Sequence, residues 1–159
     1  MPPADDSVFA HLPLYSNEPN ACTPPDPGVD WRGVLIAAPA RVTLPAGNTT
    51  PSAHICARYM VETTRLLEGK PMTMHVEEKA TGATFQGAVL DEDPNPIAPE
   101  PHRRPIDPAT VANMSNGATV TRDLFQFVKL PRKPARYEVY VEYGGYASNR
   151  VVIDVRAPQ

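Results

Sequence analysis

Apolar and polar residues alternate along most of the chain that follows residue 30. The clearest example is residues 136–156, where two alternating stretches flank Gly144 and Gly145. Period-two alternation on both sides of a Gly-Gly pair is typical of an antiparallel hairpin that buries one face. The pattern therefore predicts that the chain ends in two paired strands.

Similar alternation predicts further strands upstream of this hairpin. They lie at residues 31–38, 40–44, 53–64, 72–79, 84–90 and 118–130. Pro39 separates the first two, a position that suits an edge strand that changes direction. With the hairpin, the count is about seven to eight strands and no helix longer than about two turns, which indicates an all-β sandwich. A closed barrel is the alternative architecture.

The distribution of proline also indicates how the chain is organised. There are 20 prolines in 159 residues, well above the usual share of about 5%, and seven of them fall within residues 1–30. We expect residues 1–30 to form an extended segment that packs on a single β-sandwich domain of residues 31–157. Residues 91–117 break the alternation and predict a long loop, in which Asp107 and Pro108 mark the start of a short helix.

About the last 40 residues combine Tyr137, alternating valines and tyrosines, the Gly-Gly turn and a final alternating strand. This arrangement resembles the last two strands of bacterial immunoglobulin-like sandwich domains. The resemblance implies an immunoglobulin-like antiparallel β-sandwich in which Tyr137 is the tyrosine-corner residue, with its hydroxyl bonded to upstream backbone. The antibody pattern itself is absent, because Val139 stands where a cysteine is needed and Trp31 precedes Cys56. No disulfide between the two sheets is therefore expected.

The two cysteines, Cys22 and Cys56, bear on the cellular compartment. They permit one disulfide, as in an extracytoplasmic protein, whereas two reduced thiols are common in cytosolic proteins. Cys56 falls on the mixed face of its predicted strand, so a disulfide would hold the N-terminal segment against the outside of a sheet. The first six residues lack the basic and apolar regions of a signal peptide. We expect a mature periplasmic or secreted protein, with a cytosolic protein as the alternative.

Composition and motifs exclude several classes of function. The net charge of −3 gives no field that concentrates polyanions, so no nucleic-acid partner is expected. No apolar run reaches the length of about 18 residues that a membrane-spanning helix needs. No serine lies in a GxSxG turn, and no carboxylate pair or cofactor-binding motif stands out. We therefore expect no enzymatic activity and no cofactor, with a hydrolase site carried by the sandwich as a further alternative.

A soft-metal site is the alternative from a different functional class. His54, Cys56 and Met60 share one face of a predicted strand, and His75 lies in the next one. Histidine, cysteine and methionine are ligands that suit copper. No zinc-type spacing such as HExxH or CxxC occurs. These four residues define an alternative interpretation as a periplasmic copper-binding protein.

Surface aromatic and basic residues are the candidates for partner binding. Tyr140 lies on the outward face of its predicted strand, and Tyr146 lies beside the Gly-Gly turn. The long loop carries His102, Arg103 and Arg104. Aromatic rings supply contact area at low entropic cost, and loops on a rigid scaffold often carry recognition, although Tyr140 packed beneath the N-terminal segment is the structural alternative. We expect a non-enzymatic binding or accessory module of a bacterial extracytoplasmic assembly, which recognises a protein or glycan partner.

Overall fold

The computed structural model describes residues 6–9, 12–90 and 107–158. Its regular structure is mostly β, as the alternation predicts. In chain order the strands of these residues are β1 (Gly33–Ala37), β2 (Arg41–Thr43), β3 (His54–Glu62), β4 (Thr73–Glu78), β5 (Thr84–Ala88), β6 (Ser115–Asp123), β7 (Ala135–Tyr143), β8 (Tyr146–Ala147) and β9 (Val151–Arg156). The helical elements are 3₁₀ turns at Asp6–Phe9, Thr63–Leu66 and Pro108–Val111, and one α-helical turn, α1, at Leu124–Phe127.

The strands form two sheets. Sheet A has the order β1-β3-β6, and both of its pairs are antiparallel. Sheet B has the order β2-β9-β7-β4-β5, with β8 also paired to β7. The pairs of sheet B are antiparallel except for β2 and β9, which run parallel.

Both sheets turn alternate residues toward one shared apolar core. Ile55 and Ala57 of β3 are buried in it, and so are Val139 and Val141 of β7. Strands β1, β4 and β9 add Val34, Ile36, Met74, Val76, Ile153 and Val155. Full burial of one such aliphatic side chain contributes about 1.5–3 kcal/mol, so this core is the main source of stability. The inward faces of β3, β4 and β7 are those that the alternation predicts.

The first two predicted strands are divided between the sheets. Strand β1 lies at an edge of sheet A, and β2 lies at an edge of sheet B. Pro39 is buried between them, and it has no backbone N–H with which to extend a ladder. The N–H of Asp154 donates to the carbonyl of Ala40 at 2.8 Å, where the parallel pairing of β2 with β9 begins. The change of direction predicted at Pro39 is confirmed, and it is a change of sheet.

The strand predicted at residues 118–130 is wrong in its second half. Strand β6 ends at Asp123, and Leu124–Phe127 form the helical turn α1. The Asp123 carboxylate accepts the backbone N–H of Phe125 at 3.1 Å and that of Ala53 at 2.9 Å. It thereby caps the turn, because the first N–H groups of a helix have no partner within the helix.

The short helix predicted at Asp107 is present as the 3₁₀ turn Pro108–Val111. The Asp107 carboxylate accepts the N–H of Ala109 at 3.0 Å, as expected of an N-cap. Residues 115–117, which the sequence assigns to the long loop, belong instead to β6.

Tyr137 is a core residue of β7 and does not make the tyrosine-corner hydrogen bond that the resemblance implies. The residue is 1% exposed, and its hydroxyl has no hydrogen-bond partner among the described residues. Its ring meets that of Phe85 edge to face, with 6.5 Å between the centroids. Burial raises the pKa of the Tyr137 hydroxyl, and the carboxylate of Glu78, its partner residue in β4, raises it further.

The closing hairpin is present, with the turn that the sequence predicts. Gly144 and Gly145 have φ values of +60° and +84°, and they connect Tyr143 to its partner Tyr146. These are left-handed values that glycine adopts without steric penalty.

A bulge interrupts the second arm of this hairpin. Glu142 pairs with Ala147, whereas Val139 pairs with Val151, so the second arm holds one residue more than the first. An extra residue of this kind shifts the register of every pair that follows it. The residues that face each other along β7 and β9 are therefore set by the bulge as well as by the turn.

Asn149, within the bulge, links the two sheets. Its Oδ1 accepts the backbone N–H of Ile36 at 2.8 Å, and its Nδ2 donates to the carbonyl of the same residue at 3.0 Å. A side-chain amide thus takes the place of a neighbouring strand along the free edge of β1.

Candidate binding surfaces

The N-terminal segment lies against the outer face of sheet A. Cys22 and Cys56 form a disulfide, with 5.9 Å between their Cα atoms, so the oxidised state is the one present. Phe9 and the two half-cystines form a small buried cluster that is separate from the main core. Arg58 donates from Nε to the carbonyl of Pro24 at 2.8 Å. Covalent, apolar and polar contacts therefore fix the segment to β3.

The same segment covers part of the free edge of β6. Ser16 and Thr121 exchange two backbone hydrogen bonds, of 3.2 and 2.8 Å, as neighbouring antiparallel strands do. Asn20 donates from Nδ2 to the Thr121 hydroxyl at 2.9 Å. Arg122 donates to the carbonyl of Ser16 at 2.8 Å and to Oδ1 of Asn17 at 2.7 Å. A covered edge is protected from pairing with a strand of another chain.

Tyr140 lies on the opposite side of the molecule, on the outer face of sheet B. Its ring stacks on that of His75 with 4.6 Å between centroids and 8° between planes. The guanidinium carbon of Arg150 lies 4.4 Å from the same ring centroid. Because β7 runs between β4 and β9, His75 and Arg150 approach the ring from its two sides. The N-terminal segment packs on sheet A, so the arrangement in which its described residues cover Tyr140 does not occur.

Carboxylates hold both partners of this ring in place. Glu142 lies 3.1 Å from Nε2 of His75. Glu138 accepts hydrogen bonds from Lys79 at 3.0 Å and from Arg150 at 3.1 Å. These two hydrogen bonds, from Lys79 and then from Arg150, lower the pKa of Glu138. The stack of His75, Tyr140 and Arg150 is thus a fixed surface feature, which we call the ring stack.

A groove of about 370 Å³ lies beside the ring stack. Glu77 of β4 and Thr84 and Gln86 of β5 line it, together with the three residues of the stack. Strand β5 is one of the two edge strands of sheet B among the described residues, and β2 is the other. The groove therefore offers a cation, a carboxylate, an amide and an aromatic edge within one concave patch.

Tyr146 holds the two sheets together at the hairpin end. Its hydroxyl is 2.8 Å from each carboxylate oxygen of Glu62, the last residue of β3. Arg65 lies over the Tyr146 ring at 4.6 Å and pairs with Glu62 at 3.1 Å. The pKa of Glu62 is lowered, first by its own backbone N–H and then by the Tyr146 hydroxyl. The hydrogen bond to Glu62 raises the pKa of Tyr146.

The four residues of the copper interpretation are not brought together. Cys56 is in the disulfide and has no thiolate to offer. His54 contacts the carbonyl of Leu12 at 2.8 Å on the outer side of sheet A. His75 is in the ring stack on sheet B, so the core separates it from the other three. No group of three or more His, Cys, Asp or Glu side chains suited to a metal ion occurs in residues 6–9, 12–90 and 107–158.

The remaining sequence candidates, His102, Arg103 and Arg104, lie outside the described residues. Arg150, by contrast, is part of the ring stack although the sequence does not single it out. A two-residue turn at Gly144 and Gly145 would place Asn149 opposite Tyr140 in an uninterrupted hairpin. The bulge moves the register by one residue, and no residue type in residues 147–151 signals it.

No described helix has the length and apolar character required to cross a membrane. Comparison of the chain with known protein families, with curated proteins and with solved structures finds no match.

Proposed function

We propose that this chain is a non-enzymatic binding module of a bacterial extracytoplasmic assembly, built on an immunoglobulin-like sandwich. The strand arrangement supports the fold assignment. In immunoglobulin-like domains of the constant type the first, second, fourth and fifth strands share one sheet, and the third, sixth and seventh share the other. Sheet A and sheet B follow this division, with β2 taken as the continuation of β1, for every strand but the fourth, because β5 lies at the edge of the second sheet.

The ring stack is the observation that carries the binding function. It is an ordered cluster of an aromatic ring, two cationic or ionisable groups and carboxylates on a sheet face that no described residue of the N-terminal segment covers. Tryptophan, tyrosine and arginine are enriched among the residues that dominate the energetics of protein interfaces, and an aromatic ring buries a large area with few internal rotations. A groove beside a free edge strand adds shape to this patch.

The geometry favours a protein partner over a glycan. A sugar ring stacks on an open aromatic face, but His75 and Arg150 occupy the two sides of the Tyr140 ring. Tyr146 also has Arg65 over its ring and its hydroxyl committed to Glu62. The edge of Tyr140 and the charged groups around it remain for contact, which suits the polar side chains of a protein surface.

The disulfide supports the extracytoplasmic part of the proposal, because such bonds persist in oxidising compartments. Protein isolated from its native cells under thiol-blocking conditions should contain no titratable thiol without reduction. Two titratable thiols would place the protein in a reducing compartment and remove this part of the proposal.

Site-specific photo-cross-linking in the source cells tests the binding function. A photoreactive benzoylphenylalanine at position 140 is expected to form an adduct with one partner protein. The same probe at position 29, which is 89% exposed in the N-terminal segment, is the matched control and should not form that adduct. Arg150→Glu should reduce the adduct at position 140 at least about tenfold, because it reverses a charge in the patch.

Two results contradict the proposal. One is the absence of any adduct at position 140, and the other is the same set of adducts at positions 140 and 29. An adduct that glycosidase digestion removes and protease digestion does not would replace the protein partner with a glycan.

A further inference from the structure

The N-terminal segment encloses a hollow of about 450 Å³ on the outer face of sheet A, opposite the ring stack. Arg58, Met60 and Thr119 form its floor, and Asn17, Asp26 and Trp31 stand around it. The segment runs along β6 at Ser16, crosses to β3 at the disulfide and then leads into β1. A cup of this size falls within the range of about 300–1,000 Å³ typical of small-molecule sites.

The Met60 side chain lies across the floor of the hollow, over Gly117, which has no side chain of its own. A Cβ atom at this position would come within 2.5 Å of the terminal methyl group of Met60. The Trp31 ring packs over Gly33, the β1 partner of Met60, with its nearest atom 3.4 Å from the position that a Cβ of Gly33 would take. An apolar group between Trp31 and Met60 would therefore contact both side chains.

The polar groups of the hollow have unused hydrogen-bonding capacity within the described residues. Arg58 uses Nε for the carbonyl of Pro24, and its two terminal nitrogens have no partner there. Asp26 accepts a hydrogen bond from the N–H of Gly28 through Oδ1, and its Oδ2 accepts none from the described residues. Arg58 is thus oriented by one hydrogen bond, while no described residue engages its planar fork, which matches the two oxygens of a carboxylate.

Thr119 is the second, independent indication of a ligand. The residue is 6% exposed, it lies on the outward face of β6 opposite Arg58, and its hydroxyl has no hydrogen-bond partner among the described residues. A buried hydroxyl without a partner is unfavourable by about 1–3 kcal/mol. A 120° change of χ1 brings the hydroxyl to the place that the methyl group or the Cβ hydrogen occupies, which would present it to a molecule in the hollow.

We propose that the hollow binds a small amphipathic carboxylate whose apolar group is about the size of one amino-acid side chain. The carboxylate pairs with the fork of Arg58 and accepts a hydrogen bond from the Thr119 hydroxyl. The apolar group lies between Trp31 and Met60, and Asp26 accepts from an N–H of the ligand. A free or N-acylated apolar amino acid has this chemistry, and so does the C-terminal residue of a peptide.

Trp31 supplies the readout, since it is the single tryptophan of the chain. The oxidised protein is titrated with N-acetyl-L-leucine and with its amide, and Trp31 fluorescence is followed, with calorimetry as the second measurement. We expect saturable binding of the acid and at least about tenfold weaker binding of the amide, because a hydrogen bond to a charged group is lost. A tripeptide that ends in leucine, with its C-terminal amide, distinguishes a peptide terminus from the free compound.

Two variants test whether Arg58 and Thr119 contact the carboxylate of the ligand. Arg58→Gln is expected to bind acid and amide equally, whereas Arg41→Gln, at an exposed position on β2, should keep the tenfold preference. Thr119→Val keeps the shape of the side chain and is expected to weaken binding of the acid about fivefold or more. It also serves as the test should Arg58→Gln fail to fold.

Equal binding of acid and amide by the wild type, or no saturable signal in either measurement, overturns the proposal. So does unchanged binding of the acid by Thr119→Val. The hollow and the ring stack are on opposite faces, so none of these results bears on cross-linking at position 140.

Discussion

At the scale of single residues, Asp123 shows how one side chain serves two elements. Its carboxylate caps α1 through the N–H of Phe125 and also holds Ala53, the residue before β3. Asp123→Ala removes the oxygen that accepts both hydrogen bonds and should lower the free energy of unfolding by about 1–2 kcal/mol in urea denaturation. Asp123→Asn is the matched control, because it keeps an oxygen acceptor and is expected to stay close to wild type at neutral pH.

The difference in stability between wild type and Asp123→Asn should depend on pH, with a sign that the pKa of Asp123 determines. Burial raises the pKa of Asp123 above its ordinary value of 3.8, and the two backbone N–H groups oppose this shift. The folded state therefore binds the proton more tightly than the unfolded state, and ionisation of Asp123 opposes folding. The stability of wild type relative to Asp123→Asn should fall as the pH rises through 3.8 toward the folded pKa, and level off above it. A relative stability that rises over this range contradicts the assignment.

The sequence predicts on which face of a strand a side chain lies, but it does not predict which residues that side chain contacts. Alternation places Tyr140 outward and Val139 inward, because the side-chain period of a strand is fixed by its backbone. The neighbours of Tyr140 are not predictable in the same way. Arg150 reaches the ring only because a bulge shifts the register by one residue, and a bulge has no composition of its own in this stretch.

At the scale of elements, the N-terminal segment is the part most dependent on a single bond. Its buried cluster of Phe9 and the two half-cystines is separate from the core of the sandwich. The disulfide spans 34 residues of sequence, which corresponds to about 4 kcal/mol in the chain-entropy model. Loss of the bond should therefore release the segment while the two sheets stay folded.

Limited digestion with subtilisin, a serine protease that a dithiol does not inactivate, checks this expectation. In the presence of a dithiol reductant, cleavage should concentrate in residues 12–30 and leave a stable fragment that begins near residue 31. A double variant, Cys22→Ser with Cys56→Ser, should show the same pattern without reductant. Identical digestion of oxidised and reduced protein, or rapid loss of the sandwich on reduction, would contradict the separate stability of the two clusters.

The boundary of a strand or helix can be predicted from the sequence where a residue type has only one structural effect. Pro39 cannot extend a strand ladder, and it stands where β1 gives way to β2 in the other sheet. The helix α1 is missed because Leu124, Phe125 and Phe127 fit a buried strand as well as a helical turn. Tertiary contact decides between them here, since Asp123 caps the turn while it also bonds to Ala53.

At the scale of the whole molecule, the two outer faces of the sandwich differ in kind. Sheet A is covered in part by the N-terminal segment, which lines a hollow of about 450 Å³. Sheet B presents the ring stack and a groove of about 370 Å³. The hollow places Arg58 beside Trp31 and Met60, whereas the groove adjoins a free edge strand, and the core of apolar side chains separates the two.

The two sheets also depend on a polar link at the hairpin end, where Tyr146 of β8 donates to Glu62 of β3. We expect Tyr146→Phe to be less stable than wild type at neutral pH in urea denaturation, because Glu62 loses a donor. Tyr140→Phe, on the outer face of sheet B, is the matched control. Its hydroxyl makes no hydrogen bond among the described residues.

The pH range over which this link acts follows from the two pKa shifts. The pKa of Glu62 is lowered from 4.5, so its contribution is present above that value and is lost as the pH falls through the folded pKa. The pKa of Tyr146 is raised from 10.0, so its contribution is present below that value and is lost as the pH rises through the folded pKa. The stability difference between wild type and Tyr146→Phe should be largest from about pH 5 to about pH 9 and should narrow on both sides. A difference that stays constant to both extremes, or that Tyr140→Phe reproduces, would show that the ring of Tyr146 and not its bond to Glu62 joins the sheets.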